Sequence, residues 1–105
     1  MLVAFSLWPS GGPAGDSGHD AVAAAVQVVR NSGLPNRTDA MFTTIEGEWD
    51  VVFGVIHRAS EAALAFGTRV DLVLKADIRP GHTHEIEGKV ARLEQALATR
   101  HASAQ

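Results

Sequence analysis

The sequence predicts an α+β fold in which an antiparallel β-sheet is covered on one face by helices. Two stretches, residues 19–32 and 48–66, repeat apolar residues at the three- and four-residue spacing of amphipathic helices. Residues 68–78 alternate apolar and polar side chains, as a strand with one buried face does. The chain has 105 residues and no cysteine, so one domain with an apolar core is expected.

The first part of the chain is predicted to form one strand and one helix. Leu2–Trp8 is a short apolar run that is followed by Pro9, which is typical of a buried strand. A loop rich in Gly, Pro and Ser follows, longer than the strand-to-helix connection needs. The helix predicted over residues 19–32 ends at Gly33, a residue that suits a left-handed C-terminal cap.

A hairpin and a second helix are predicted next. The segment after the first helix is rich in threonine and lacks helical spacing. We expect strands at residues 37–39 and 42–46, joined by a tight turn near residues 40–41. The helix over residues 48–66 then ends at Gly67.

One more strand and a third helix complete the predicted domain. The strand over residues 68–78 ends before Pro80, and a helix over residues 83–98 carries an apolar stripe made of Ile86, Val90, Leu93 and Leu97. The polar tail 99–105 is expected to fray. Residues 1–98 are therefore predicted to be a single ferredoxin-like domain, with a βαββαβ antiparallel sheet, helices on one face and an additional C-terminal helix.

Composition and charge restrict the classes of function. The formal net charge is −3 and no basic stripe is present, so a nucleic-acid partner is not expected. No apolar run approaches the roughly 18 residues of a membrane helix, and the first one is too short for a signal peptide. We therefore expect a cytoplasmic protein without a membrane partner.

If both long helices cover one side of the sheet, the other side, here called the open face, meets water, a ligand or another subunit. Alternation points Val3, Phe5, Leu7 and Ile45 toward the helices, together with Leu72 and Leu74. The open face then carries Ala4, Ser6, Trp8, Phe42, Thr44, Glu46, Asp71, Val73, Lys75 and Asp77. Because exposed aromatic surface usually marks an interface or a binding groove, we expect a homo-oligomer, either a dimer or a tetramer, formed through this face.

Several segments resemble one known family. Residues 41–50 read M-F-T-T-I-E-G-E-W-D and resemble the segment M-G-T-x-I-E-G-E-W-(D/E) of the thiamine-binding protein family. Residues 29–34 are similar to its I-R-x-S-G-L helix ending, and further matches lie at residues 3–7, 69–79 and 87–90. The matching segments are collinear over residues 2–97, so they make a stronger signal together than any one of them alone.

The resemblance implies a ferredoxin-like fold, assembly into dimers or tetramers, and binding of thiamine or its hydroxymethylpyrimidine moiety without catalysis. One departure concerns Phe42, which stands where the family has glycine. This phenylalanine could stack on a flat ligand, or it could fill the pocket. In the second case the chain would be a non-catalytic assembly module whose open face serves only subunit association.

A thiamine site needs an aromatic surface, a carboxylate and hydrogen-bonding groups, because the ligand combines a cationic ring with a flat aminopyrimidine. The predicted ligand-binding residues are Ser6, Trp8, Phe42, Thr43, Thr44, Glu46, Lys75 and Asp77. Trp8 could instead pack at a subunit interface, and alternation points Thr43 inward. Glu46 and Glu48 could simply favour the positive end of the helix that follows them, while Lys75 and Asp77 could form an ion pair.

Other chemistry has little support in the sequence. His82, His84 and Glu85 suggest a metal, but an H-x-H pair without a third well-spaced ligand is a weak signal. The sequence contains no Gly-x-Ser-x-Gly elbow, and no Gly-Lys-Ser/Thr follows its glycines. We therefore expect no catalytic residues, no metal and no cofactor, with thiamine as the candidate ligand.

Overall fold

The computed structural model describes residues 1–11 and 18–103, and the elements found there follow the predicted order. They are β1 (Leu2–Ser10), α1 (Gly18–Asn31), β2 (Asn36–Thr38), β3 (Thr43–Glu46), α2 (Trp49–Leu64), β4 (Arg69–Asp77) and α3 (Glu85–Ser103). The four strands form one antiparallel sheet in the order β2-β3-β1-β4. The ferredoxin-like α+β arrangement is therefore confirmed. Residues 12–17, which hold most of the predicted loop, lie outside the described residues.

The core lies between the sheet and the two helices α1 and α2. Val3 is paired with Ile45 on β3 and with Ala76 on β4, so these side chains share the helix-covered face. Along β1, Val3, Phe5 and Leu7 are buried in alternation, as predicted. The helices contribute small and β-branched residues to the same core, namely Ala21, Ala25, Val29, Val52, Val55, Ile56, Ala59 and Ala63.

Strand β1 continues past Pro9, where the sequence predicted an end. β3 pairs only with Leu2–Phe5, whereas β4 pairs with β1 as far as Ser10. The second half of β1 thus has no described strand on its β3 side. A proline is tolerated in a strand with one unpaired edge, because at that edge there is no neighbouring strand to which an N–H group would donate.

Leu72 and Leu74 lie on the predicted face but are not fully covered. Leu72 pairs with the buried Leu7, and Leu74 pairs with the buried Phe5, yet Leu72 is 40% exposed and Leu74 is 37% exposed. The cause is the position of β4 at the edge of the sheet, where helix cover ends.

Helix α3 projects from the domain. Among its described residues only Glu85 is buried, and the apolar stripe Val90, Leu93 and Leu97 is about half exposed. The radius of gyration is 16.7 Å, against about 13 Å for a compact domain of this length. The helix also runs to Ser103, beyond its predicted end at residue 98. None of the described helices combines the length and apolar character needed to cross a membrane.

Candidate functional site

A cleft lies where β1 extends beyond β3. One wall of the cleft is α1, and the opposite wall is the turn that joins β2 to β3. The cavity has a volume of about 210 Å³. Its lining consists of Phe5, Ser6, Leu7, Trp8, His19, Val22, Ala25, Val26, Thr38, Asp39, Ala40, Met41, Phe42 and Thr43.

Trp8 lies at the mouth of this cleft. Its indole ring contacts the His19 ring edge-on, with the ring centroids 5.9 Å apart and the planes at 85°. The indole also lies directly against Gly18, where a Cβ atom would overlap the ring. Glycine at the first position of α1 therefore makes room for the indole. Half of the Trp8 surface stays exposed and available for stacking.

The turn residues Asp39 to Phe42 supply a fixed negative charge. The Asp39 Oδ1 atom accepts hydrogen bonds from the backbone N–H groups of Met41, at 2.8 Å, and Phe42, at 2.9 Å. These bonds hold the pKa of Asp39 below its ordinary value, with the Met41 bond as the larger cause. Asp39 is therefore ionised at neutral pH, and it lines the same cleft as Phe42.

Hydroxyl groups line the cleft beside the aromatic rings. The Thr38 and Thr43 Oγ1 atoms are 3.1 Å apart and share a hydrogen bond between β2 and β3. Thr43 is buried and pairs with Phe5, so it points toward the helices, as alternation predicted. It can still line the cleft because the cleft lies at the free edge of β1, and its lining includes residues from both faces of that strand.

The structure places the eight predicted ligand-binding residues in two groups. Ser6, Trp8, Phe42 and Thr43 line the cleft. Thr44, Glu46, Lys75 and Asp77 lie outside it, along the open face toward the start of β1, where Glu46 and Asp77 flank Leu2. Leu2 and Trp8 are six residues apart on a strand, a distance of roughly 20 Å. One small molecule therefore cannot contact both ends.

Glu46 and Asp77 each have a partner on α3. Both Glu46 carboxylate oxygens accept the backbone N–H of Glu85, at 3.0 and 2.8 Å, and one of them also accepts the N–H of Ile86 at 3.2 Å. The buried Glu46 side chain thus caps α3, whereas the sequence suggested an interaction with α2. Asp77 pairs with Lys89 Nζ at 2.7 Å, and this bond lowers the pKa of Asp77.

A second charged cluster surrounds Glu85 at the beginning of α3. Arg92 forms a two-pronged hydrogen bond with the Glu85 carboxylate, while Arg79 lies at 3.8 Å and His82 at 3.9 Å. The Arg92 bond is the main cause that lowers the pKa of Glu85. Because the cluster pairs one acid with several bases, it is an ion-pair network. No group of three or more His, Cys, Asp or Glu side chains within residues 1–11 and 18–103 is arranged to hold a metal ion.

Sequence reasoning did not select Asp39 or His19 for the site. Asp39 was assigned only to the end of a strand, although an Asp at the start of a short reversal is a known turn signal. That signal predicts the turn but not a cleft beside it. His19 gave no signal, because its position depends on how α1 begins against Trp8.

Comparison with known proteins gives a consistent assignment. The sequence profile described as "Thiamine-binding protein" matches residues 3–94. A UPF0045 protein of Mycobacterium bovis is 50% identical over 98 residues, which cover 92% of this chain and 94% of that protein. A hypothetical protein from Methanocaldococcus jannascii has a similar structure, with a TM-score of 0.78, 29% identity and coverage of 89% and 94% of the two chains. The fold is also similar to that of a Thermotoga maritima protein described as a candidate thiamine biosynthesis/salvage protein, with a TM-score of 0.67, 22% identity and coverage of 89% and 99%.

Proposed function

Because this chain belongs to the thiamine-binding protein family, we propose that it binds thiamine or the hydroxymethylpyrimidine moiety in the cleft between α1 and the β2–β3 turn. The observation that supports this proposal most strongly is the combination of groups in the cleft. Trp8, whose indole is half exposed, Phe42 and Asp39 line the same cleft, and backbone hydrogen bonds lower the pKa of the Asp39 carboxyl. A flat cation needs both kinds of group.

The size of the cleft favours a single ring as the enclosed part of the ligand. Its volume of about 210 Å³ is below the roughly 300–1,000 Å³ of typical ligand pockets. The aminopyrimidine ring would then lie between the walls, with Ser6, Thr38 and Thr43 as hydrogen-bonding partners. In whole thiamine, the thiazolium ring would extend toward the mouth of the cleft, where the face of Trp8 and the carboxylate of Asp39 would both be within reach of its charge.

Phe42 supports binding more than blockage. The cleft exists with the Phe42 side chain in place, so this residue narrows the cavity without filling it. In this proposal the Phe42 ring stacks on the flat ligand, at a position where the family has a glycine and therefore no side chain. The alternative, an assembly module with no ligand, gives Trp8 a place at a subunit interface and Asp39 a role in the turn, but it does not account for the open cleft that both residues line.

We propose that binding is not followed by a reaction and that the protein acts in the cytoplasm as a homo-oligomer. The cleft contains one imidazole, that of His19, which faces Trp8 rather than an acid that could orient it as a base. Self-association is supported by the apolar side chains exposed on β4 and α3. The lack of cysteine suits a reducing compartment.

Calorimetric titration with thiamine, and separately with hydroxymethylpyrimidine, tests the proposal. Saturable heat near one ligand per chain is expected, and mass spectrometry should recover the ligand unchanged. Asp39→Asn should weaken thiamine binding about tenfold or more, because it removes the charge beside the cation. Asp50→Asn is the matched control, since it removes an exposed carboxylate at the start of α2, away from the cleft. Folded protein that gives no heat with either ligand would refute the proposal.

A further inference from the structure

The cleft carries a negative charge that its walls do not neutralise. Among the described residues that line it, Asp39 is the only carboxylate, and none is a lysine or an arginine. His19 is the only other titratable side chain in this lining. The sequence of residues 12–17 adds one aspartate and no basic residue, so that segment cannot supply a cation either. A ligand in the cleft therefore meets a carboxylate without a lysine or arginine beside it.

We propose that the cleft selects the unphosphorylated form of its ligand and rejects the phosphate esters of thiamine and of hydroxymethylpyrimidine. This selectivity depends on the proposed function, because it names which form of the same ligand the cleft takes. Thiamine carries one positive charge, on its thiazolium ring. A phosphate on the hydroxyethyl arm of that ring adds about −1.5 to −2 at neutral pH, so the net charge changes from positive to negative. The phosphate would then lie near the carboxylate that attracts the ring.

Arg69 on β4 stands near the mouth of the cleft, but its charge is already paired. It faces Ser10 on β1, two residues beyond Trp8, and Asp71 faces Trp8 itself. The Arg69 guanidinium lies 3.2 Å from the Asp71 carboxylate, and both side chains are well exposed. A phosphate that extended past the indole would have to compete with Asp71 for this guanidinium. Arg69 therefore does not offset the repulsion by Asp39.

Two other basic side chains of the sheet lie away from the cleft. Arg37 pairs with Thr44 and lines a separate cavity. Lys75 pairs with Ala4, four residues from Trp8 along β1, which is a distance of about 13 Å. Because charges are largely screened beyond about 8–10 Å at physiological salt, Lys75 contributes little to the potential at the mouth.

The beginning of α1 also lies at the cleft, and the N–H groups of a helix N-terminus favour an anion. Two features oppose anion binding there. The Trp8 indole lies directly against Gly18 and so covers the first position of the helix. Asp20 in the first turn supplies a negative charge that already interacts with this helix end. The start of α1 is therefore a poor phosphate site in this chain.

Coulomb's law gives the size of the expected discrimination. At a separation of about 8 Å, repulsion between a phosphate dianion and one carboxylate lowers affinity roughly sixfold in the dielectric of water, and by far more in a partly buried cleft. The attraction of the thiazolium ring is partly cancelled at the same time. We therefore expect a difference of at least about tenfold between thiamine and its esters. A protein with this preference would hold the ligand in the form that a phosphatase supplies and a kinase consumes.

Parallel titrations separate this selectivity from binding itself. Thiamine, thiamine monophosphate and thiamine diphosphate are titrated into the natural chain at neutral pH and low salt, without divalent cations that would mask the phosphate charge. Both esters should bind at least about tenfold more weakly than thiamine, and the difference should shrink at high salt. Esters that bind as tightly as thiamine, or more tightly, would overturn the selectivity and leave ligand binding in the cleft intact. Folded protein that binds none of the three would refute the proposed function and the selectivity with it.

Asparagine substitutions identify the charges responsible. Asp39→Asn keeps an oxygen that can accept the N–H groups of the turn but removes the charge, so the ratio of thiamine to monophosphate affinity should fall about tenfold. Asp71→Asn releases Arg69 from its ion pair and should strengthen monophosphate binding several-fold. Asp50→Asn makes the same change at the start of α2, away from the cleft, and should leave the ratio unchanged. A ratio that Asp39→Asn does not alter, or that Asp50→Asn alters equally, would contradict the proposal.

Discussion

The buried carboxylate of Glu46 holds the beginning of α3 on the sheet, and an exposed pair between Asp77 and Lys89 adds a second link, so Glu46→Gln tests the buried one. The Glu46 side chain receives three hydrogen-bond contacts of 2.8–3.2 Å from the backbone N–H groups of Glu85 and Ile86. Glutamine has nearly the same shape, but it carries one oxygen and an NH₂ group that cannot accept. The change therefore removes the charge and one acceptor and leaves the packing almost intact.

The expected cost follows from the type of bond. A helix cap is worth about 0.5–2 kcal/mol, and a hydrogen bond to a charged group about 1.5–3 kcal/mol. Since glutamine keeps one acceptor, we expect a loss of about 1–2 kcal/mol in the attachment of α3. The rest of the helix is largely exposed and offers little packing to offset this loss.

Amide hydrogen exchange measures this loss locally. A loss of about 1–2 kcal/mol corresponds to exchange roughly 5–30 times faster in the first turns of α3. Amides of β1 and β3 should exchange at unchanged rates. Glu48→Gln is the matched control, because Glu48 occupies the N-cap position of α2 without a side-chain cap bond. Unchanged exchange in α3, or equal acceleration throughout the sheet, would refute the role given to Glu46.

Three further predictions concern the cleft and the dependence of stability on pH. Gly18→Ala should displace the Trp8 indole and weaken thiamine binding several-fold while the helix persists; unchanged tryptophan emission and unchanged affinity would contradict this. The Asp39 charge should support thiamine binding from neutral pH down to about pH 5, because its pKa is lowered, so the ratio of natural-chain to Asp39→Asn affinity should stay constant over that range; a ratio that falls between pH 7 and 5 would contradict this. Asp77 and Glu85 have lowered pKa values in the folded state. Their contributions to stability are therefore present above the ordinary carboxyl range and are lost as the pH falls through the lowered values. Urea unfolding midpoints measured from pH 7 to 2.5 should accordingly decline only at the acid end.

The order of the elements could be predicted because local patterning determines it. Alternation in β1 and the three- and four-residue spacing in α2 each identify a face that must be buried, and both faces are buried in the structure. The end of β1 and the length of α3 could not be predicted in this way. Pro9 is accommodated where β1 lacks a β3 neighbour, and α3 continues to Ser103 although the side chains of its second half are exposed.

The candidate site was harder to predict from the sequence because it exists where β1 is longer than its neighbour β3. Trp8 and Phe42 were selected as exposed aromatic residues, and both line the cleft. Alternation, however, assigns side chains to faces and cannot reveal that a strand extends beyond its neighbour. Asp39 illustrates the difference, since its role depends on the three-dimensional position of a turn that was predicted correctly.

Strand β3 links two separate tasks, and this affects how variants of its residues should be interpreted. Thr43 at its first position lines the cleft, while Glu46 at its last position holds α3. If Glu46 acts only as a cap, Glu46→Gln should accelerate exchange in α3 and leave thiamine affinity within about twofold. If instead Glu46 contacts the ligand, affinity should fall as far as it does in Asp39→Asn. The first outcome would confine the ligand site to the cleft where β1 extends beyond β3. The second would extend the site to the end of β3 that holds α3.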